Sequence, residues 1–149
     1  MATYCDQTDI EENLKAVTFS ATTAVTATAL TNMIARKSAF IDSMIQVKYI
    51  LPISDATALL YLKDICIDLV VFDVTKVLQA KNALPAPDLK VTQEISVGFC
   101  YKQALKMLEK LANGSVALPS EDIKSVSNMR STAVDDDAKY NFKLEEQQW

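Results

Sequence analysis

Residues 65–78 read ICIDLVVFDVTKVL, from Ile65 to Leu78. Wound at 3.6 residues per turn, this stretch puts apolar side chains on every side of a helix. A helix that is apolar all round has to be covered all round. The stretch is therefore expected at the centre of a helical body, within a helix from about Ala56 to Gln79. The rest of the chain must supply its cover.

Three further helices are expected to do so. Upstream, Leu30, Met33, Ile34, Phe40, Ile41, Met44, Ile45 and Tyr49 recur at helical spacing, with Asp42, Gln46 and Lys48 on the wet side. Thr26 or Thr28 is placed to cap that helix, and Pro52 requires it to stop, because a residue before proline avoids the α region. Ser54 then stands at the capping position of the central helix, with Asp55 in the first turn, where the dipole favours an anion. Nearer the start, Thr8 and Glu11 have capping-box spacing, and Ile10 and Leu14 share a face. The intervening KAVTFSATTAVTA has no helical period and reads as a loop. Beyond the proline-rich NALPAPD, a fourth helix is expected from about Thr92 to Asn113. Val97, Tyr101, Ala104, Leu105, Leu108 and Leu111 form its inner face, and Gly114 comes next as a left-handed stop. The expected fold class is all-α, a four-helix bundle-like body around a central apolar helix.

The texture changes near Pro119. The remaining residues are rich in Ser, Asp and small side chains, so the chain divides into a helical domain, 1–119, and an extended interaction tail, 120–149. Within the tail, Tyr140, Phe142 and Leu144 alternate with polar residues as in a short strand. Trp149 is the only tryptophan. Left in water, such a segment is an unprotected apolar edge. These four residues are expected to order against another chain.

Composition narrows the functional classes. The sequence has 149 residues, half of them hydrophobic, and only 2 Gly and 4 Pro. That is one helix-rich domain. No uncharged apolar run reaches the roughly 18 residues of a membrane span, so no membrane partner is expected. MATYCDQTDIEEN lacks the basic-then-apolar layout of a signal peptide, which points to the cytosol as the place of synthesis. Residues 1–114 carry 12 acidic and 11 basic side chains, and residues 115–149 carry 7 and 4. A near-neutral body with an acidic tail is a poor phosphate binder. Three widely spaced cysteines, Cys5, Cys66 and Cys100, read as reduced, mostly buried thiols rather than a disulfide frame or a zinc site.

Catalytic chemistry finds little material. There is no histidine, which removes Ser-His-Asp and Cys-His arrangements, two-His zinc motifs and the usual base near neutrality. Two glycines cannot form a phosphate-cradling loop. Asp64 and Asp68 are neighbours at i,i+4, yet no third or fourth metal ligand comes at a useful spacing. Asp68 lies between apolar residues and is expected to be a structural, partly buried carboxylate. Such a group must find a cation or a helix N-terminus, or neutralise. Arg36 or Lys37 is the candidate cation, and replacement by Asn is expected to lower stability or assembly. No catalytic, metal or cofactor site is expected, and no enzymatic activity.

Four segments, in order and spacing, resemble a known family. They are YCDQTDIEENL, with Asp6 and Ile10; Ile41-Asp42 through Tyr49-Ile50-Leu51-Pro52; Cys66-Ile67-Asp68; and Leu108 through Leu111 and Gly114 to Leu118-Pro119. Together they are similar to the Mu-type connector family, small helical head–tail connector proteins related to the adaptor, or head-completion, proteins of long-tailed phages. The resemblance covers about residues 3–119 and leaves the tail outside. Where that family usually carries arginines after the Asp of its third helix, this chain continues LVVFDVTKVL. The resemblance implies a virion neck protein, made in the host cytoplasm. Its implied partners are the portal protein, copies of itself in a dodecameric ring, and a downstream neck protein such as a terminator or stopper. Double-stranded DNA would pass through the lumen without specific binding, during genome ejection among other steps. The alternative reading is a soluble helical binding or regulatory module of a phage, without enzymatic activity.

Overall fold

The computed structural model describes residues 3–14, 17–81 and 87–119, with side chains in the last segment described from residue 97. Among the described residues four helices run in order: α1 (Gln7–Asn13), α2 (Ala27–Ile45), α3 (Ala56–Ala80) and α4 (Pro87–Asn113). No strand occurs among the described residues. The architecture is the expected all-α bundle, and α3 is its centre, packed against α1, α2 and α4.

The central position of α3 results from its apolar circumference. Leu62, Ile65, Cys66, Leu69, Val70, Val71, Val74 and Leu78 are buried, and they point to more than one side of the helix. From α2, Leu30, Ile34, Ile41 and Ile45 meet them, and α4 adds Ala104, Leu108 and Leu111. α1 contributes Ile10, fully buried, as are Leu62 and Leu69. Phe40 departs from the expected inner stripe of α2. It is 39% exposed, and Ser38 takes a buried place instead.

Helix ends obey local hydrogen-bonding chemistry, in two cases one or two residues from the expected caps. α1 begins earlier than Thr8: Asp6 is its cap, accepting from the Asp9 N–H at 3.0 Å, while the Asp9 carboxylate accepts from the Asp6 N–H at 3.0 Å. A short Asp at the third position thus closes a capping box as Glu or Gln would. Thr26 caps α2, its hydroxyl accepting from the Ala29 N–H at 3.2 Å. For α3 the cap is Asp55 rather than Ser54, its carboxylate accepting from the N–H groups of Thr57 and Ala58, both at 2.9 Å. An Asp at this position serves two orphan donors and sets a negative charge at the positive end of the helix. α4 starts five residues before the expected Thr92, with Pro87 in its first position, where a missing N–H is harmless.

Gly114 ends α4 with φ +73°, as anticipated. A Cβ there would come within 2.9 Å of Lys48 Cε, the far end of a flexible side chain that can move aside, so it is the positive φ that favours glycine. Past this turn the chain folds back onto α2. Tyr49, fully buried, accepts from the Leu118 N–H at 3.0 Å and donates to the Val116 carbonyl at 3.4 Å. One phenol therefore fixes residues 116–118 against the end of α2.

The loop reading of residues between α1 and α2 holds for 17–26, which form no helix. Phe19 and Val25 drop into the core from it, while a Ser20–Thr23 turn is held by side-chain bonds from Thr23.

Candidate interaction surface

The last described residue, Pro119, directly succeeds the segment that Tyr49 anchors. Residues 116–118 thus lie beside the α2–α3 connection. That connection carries two water-facing aliphatic side chains, Val47 at 72% and Ile50 at 54% exposure. The first two turns of α3 add Leu60, 63% exposed, and Leu59 at 36%. These residues escaped a reading based on periodicity, because helical spacing assigns an apolar residue to the core without testing whether a neighbour covers it. Phe99 on α4 is a further exposed apolar side chain, at 61%. The anticipated contact residues Tyr140, Phe142, Leu144 and Trp149 lie outside the described residues.

Asp68 is half-buried on α3. Its expected cation is engaged elsewhere: Lys37 pairs with Asp73 at 2.9 Å, and Arg36 is exposed. The cause is helical phase, since Asp73 rather than Asp68 turns to the α2 side near Lys37. The same ammonium stands 5.9 Å from the centroid of Tyr101, whose ring stacks on Phe72 at 4.0 Å. Lys76 lies 4.9 Å from the Phe72 centroid. Two cations, a carboxylate and two stacked rings thus tie α2, α3 and α4 together.

A cleft of about 230 Å³ opens between α3, α4 and the end of α1, lined by Asn13, Leu14, Asp68, Val71, Thr75, Val97 and Cys100. Burial, and then the neighbouring Asp64, push the Asp68 carboxyl above its ordinary value of 3.8. Burial, and then Asp68, push the Cys100 thiol up as well. A thiol held in its protonated form is a weak nucleophile. Asp68 thus disfavours the Cys100 thiolate, the reverse of an activating base. Among the described residues no group of three or more Cys, Asp or Glu side chains is placed to hold a metal ion. No described helix is long and apolar enough to cross a membrane.

The N-terminal segment is lashed across α2 and α3. The Tyr4 N–H donates to Ser38 Oγ at 3.2 Å, and the Tyr4 hydroxyl donates to the Asp42 carboxylate. Asp9 pairs with Lys63 at 2.7 Å. Partial burial pushes the Asp9 carboxyl up, but the Lys63 ammonium and the Asp6 N–H outweigh it and hold the group below its ordinary value. Between these anchors the thiols of Cys5 and Cys66 meet at 3.3 Å, both buried. Their separation of 61 positions carried no signal in the sequence.

The family model described as bacteriophage Mu, Gp36 matches residues 4–135, and the chain belongs to that family. The match runs past Pro119, so the residues up to 135 that the resemblance left outside fall within the family's span. Tyr140 to Trp149 lie beyond it. No curated protein and no solved structure matches the chain.

Proposed function

We propose that this protein is a structural component of the phage neck. Copies of it form a ring between the portal and the tail or neck components, complete the head and leave a passage for DNA. The observation that carries this reading is membership of the bacteriophage Mu Gp36 family over most of the chain. The structure adds support at two points. The body is a helical bundle in which burial shifts both the Asp68 carboxyl and the Cys100 thiol up, which disfavours an activated thiolate. The connection between α2 and α3, against which residues 116–118 are held, carries two uncovered aliphatic side chains, Val47 and Ile50.

In this reading the protein performs no catalysis. Its partners are the portal, neighbouring copies and a downstream terminator or stopper. The near-neutral body lets DNA slide past without gripping its phosphates. The tail carries the attachment: Tyr140, Phe142 and Leu144 pair as an added strand on another chain, which supplies affinity through the backbone and register through alternate side chains. Trp149 is the anchor at its end, because indoles are enriched among residues that dominate interface energy. The portal is the first choice of docking surface, and an adjacent subunit is second.

The test is electron microscopy of the purified protein with its portal, beside a variant lacking residues 139–149. Ring-shaped complexes are expected for the full chain, with a folded but unattached body for the truncation. A stable monomer that never associates with portal would overturn the connector reading in favour of a soluble helical module. Equal attachment by the truncated protein would remove the tail from the mechanism.

A further inference from the structure

Cys5 Sγ and Cys66 Sγ lie 3.3 Å apart, one on the N-terminal segment and the other at the centre of α3. Both side chains are at least nine-tenths buried. We infer that Cys5 and Cys66 form a redox-active thiol pair, which a small two-electron oxidant such as hydrogen peroxide closes into a disulfide between the N-terminal segment and the central helix.

The geometry favours attack by Cys66. Its sulfur accepts a hydrogen bond from the Cys5 thiol and stands 3.8 Å from Ser38 Oγ. The Cys5 backbone N–H is also directed to it. Donors of this kind stabilise a thiolate, and the Lys37 ammonium adds to them, so the Cys66 thiol is shifted down despite burial. Cys5 is shifted up, first because its proton is held in the bond to Cys66 and then by burial. The pair therefore offers one readily formed thiolate and one proton source beside it.

The chemistry balances with peroxide as the sole oxidant. The Cys66 thiolate attacks one peroxide oxygen; the O–O bond breaks, and the departing hydroxide takes up the proton that Cys66 gave up on ionising, to leave as water. Cys66 is then a sulfenic acid. The Cys5 sulfur attacks the Cys66 sulfur, the S–O bond breaks, and the hydroxyl leaves with the Cys5 proton as a second water. Two thiols have lost two electrons in total, and one peroxide has gained them. Closing the gap from 3.3 Å to a bond of about 2.05 Å moves the sulfurs together by about 1.2 Å. Entry of the oxidant requires residues 3–6, which precede α1, to open by breaking the Tyr4 bonds to Ser38 and Asp42. This inference stands apart from the neck reading and survives its failure. A particle that leaves the reducing host cytoplasm would meet the conditions that close the bond.

The experiment oxidises the purified full-length protein with hydrogen peroxide and tracks free thiols, intact mass and peptide linkage. Free thiols are expected to fall from three to one, with an intact-mass loss of two hydrogens. Peptide mapping should place the link between Cys5 and Cys66, and a dithiol reductant should reverse it. The bond closes a loop of about 60 residues, so Tm should rise by on the order of 10 °C. Cys100→Ser should still cross-link, whereas Cys5→Ser should not. Oxidation that stops at a sulfinic acid on Cys66 would overturn the inference. So would a link through Cys100, or three thiols surviving under conditions that unfold nothing.

Discussion

Replacement of Leu69 by Ala tests the placement of the central helix most directly. Leu69 is fully buried in α3, and α3 is packed by helices on several sides. Truncation to Ala removes three buried carbons and leaves a cavity. Leu→Ala at such sites costs about 2–5 kcal/mol, the higher values where the surroundings relax least. A helix held between three neighbours has little room to collapse, so about 3–5 kcal/mol is expected. Against a total stability of about 5–15 kcal/mol, that is a large share. Urea unfolding monitored by far-ultraviolet circular dichroism should show the midpoint falling by roughly 1–3 M with the slope unchanged. Leu60→Ala is the internal reference, because Leu60 sits on the same helix at 63% exposure. It should stay within about 0.5 kcal/mol of the parent. Val70→Ala, also fully buried, removes less volume and should fall between the two. A Leu69→Ala midpoint within error of the parent, or a larger effect at Leu60, would refute the central placement.

Other expectations rest on single contacts. Tyr49→Phe leaves the buried Leu118 N–H without its acceptor, which should cost about 1–3 kcal/mol and speed hydrogen exchange in residues 116–118. Asp55→Ala removes both capping bonds of α3 and should cost about 1 kcal/mol in thermal or urea unfolding, where Ser54→Ala should cost less. For Asp68 the direction reverses from the one expected on sequence, because its anticipated cation is bound to Asp73. The folded Asp68 carboxyl keeps its proton to higher pH than the unfolded one, whose ordinary value is 3.8. Its charged form therefore detracts from stability above the folded pKa, and nothing is lost below 3.8. Asp68→Asn should match or exceed the parent in stability at about pH 7, with the advantage gone by about pH 3. A lower stability at neutral pH would show that a cation does pair with it. Asp9 runs the other way: its carboxyl is held below 3.8, so its contribution is present above that pH and lost on further acidification. Lys63→Met should flatten that part of the acid-unfolding curve.

Much of the helical frame was legible because it rests on local rules. Apolar residues around most of the circumference of residues 65–78 called for a central helix, and α1, α2 and α4 pack on it, while Lys76 stays exposed and Phe72 and Val77 are only partly covered. Periodicity placed Leu30, Ile34, Ile41 and Ile45 inside, and Gly114 announced the end of α4 through its freedom at positive φ. Local chemistry was ambiguous only in detail. Adjacent residues such as Ser54 and Asp55 both make good caps, and the backbone angle that chooses between them depends on the loop they close. The start of α4 at Pro87 was hidden for a similar reason, because proline both breaks a helix and begins one.

The relations between helices required the tertiary structure, since rotation of one against another leaves each sequence pattern unchanged. Lys37 reaches Asp73 rather than Asp68 because of the phase at which α2 meets α3. Phe40 faces water, and Ser38 nearby is buried, for the same reason. Periodicity marks which side chains could be covered, while only packing decides which are, so Val47, Ile50 and Leu60 remain apolar at the surface. Cys5 and Cys66 meet across 61 positions because the N-terminal segment crosses α2 and α3. A one-dimensional pattern encodes faces and ends; the contacts that could carry attachment or redox chemistry arise where two such faces meet in space.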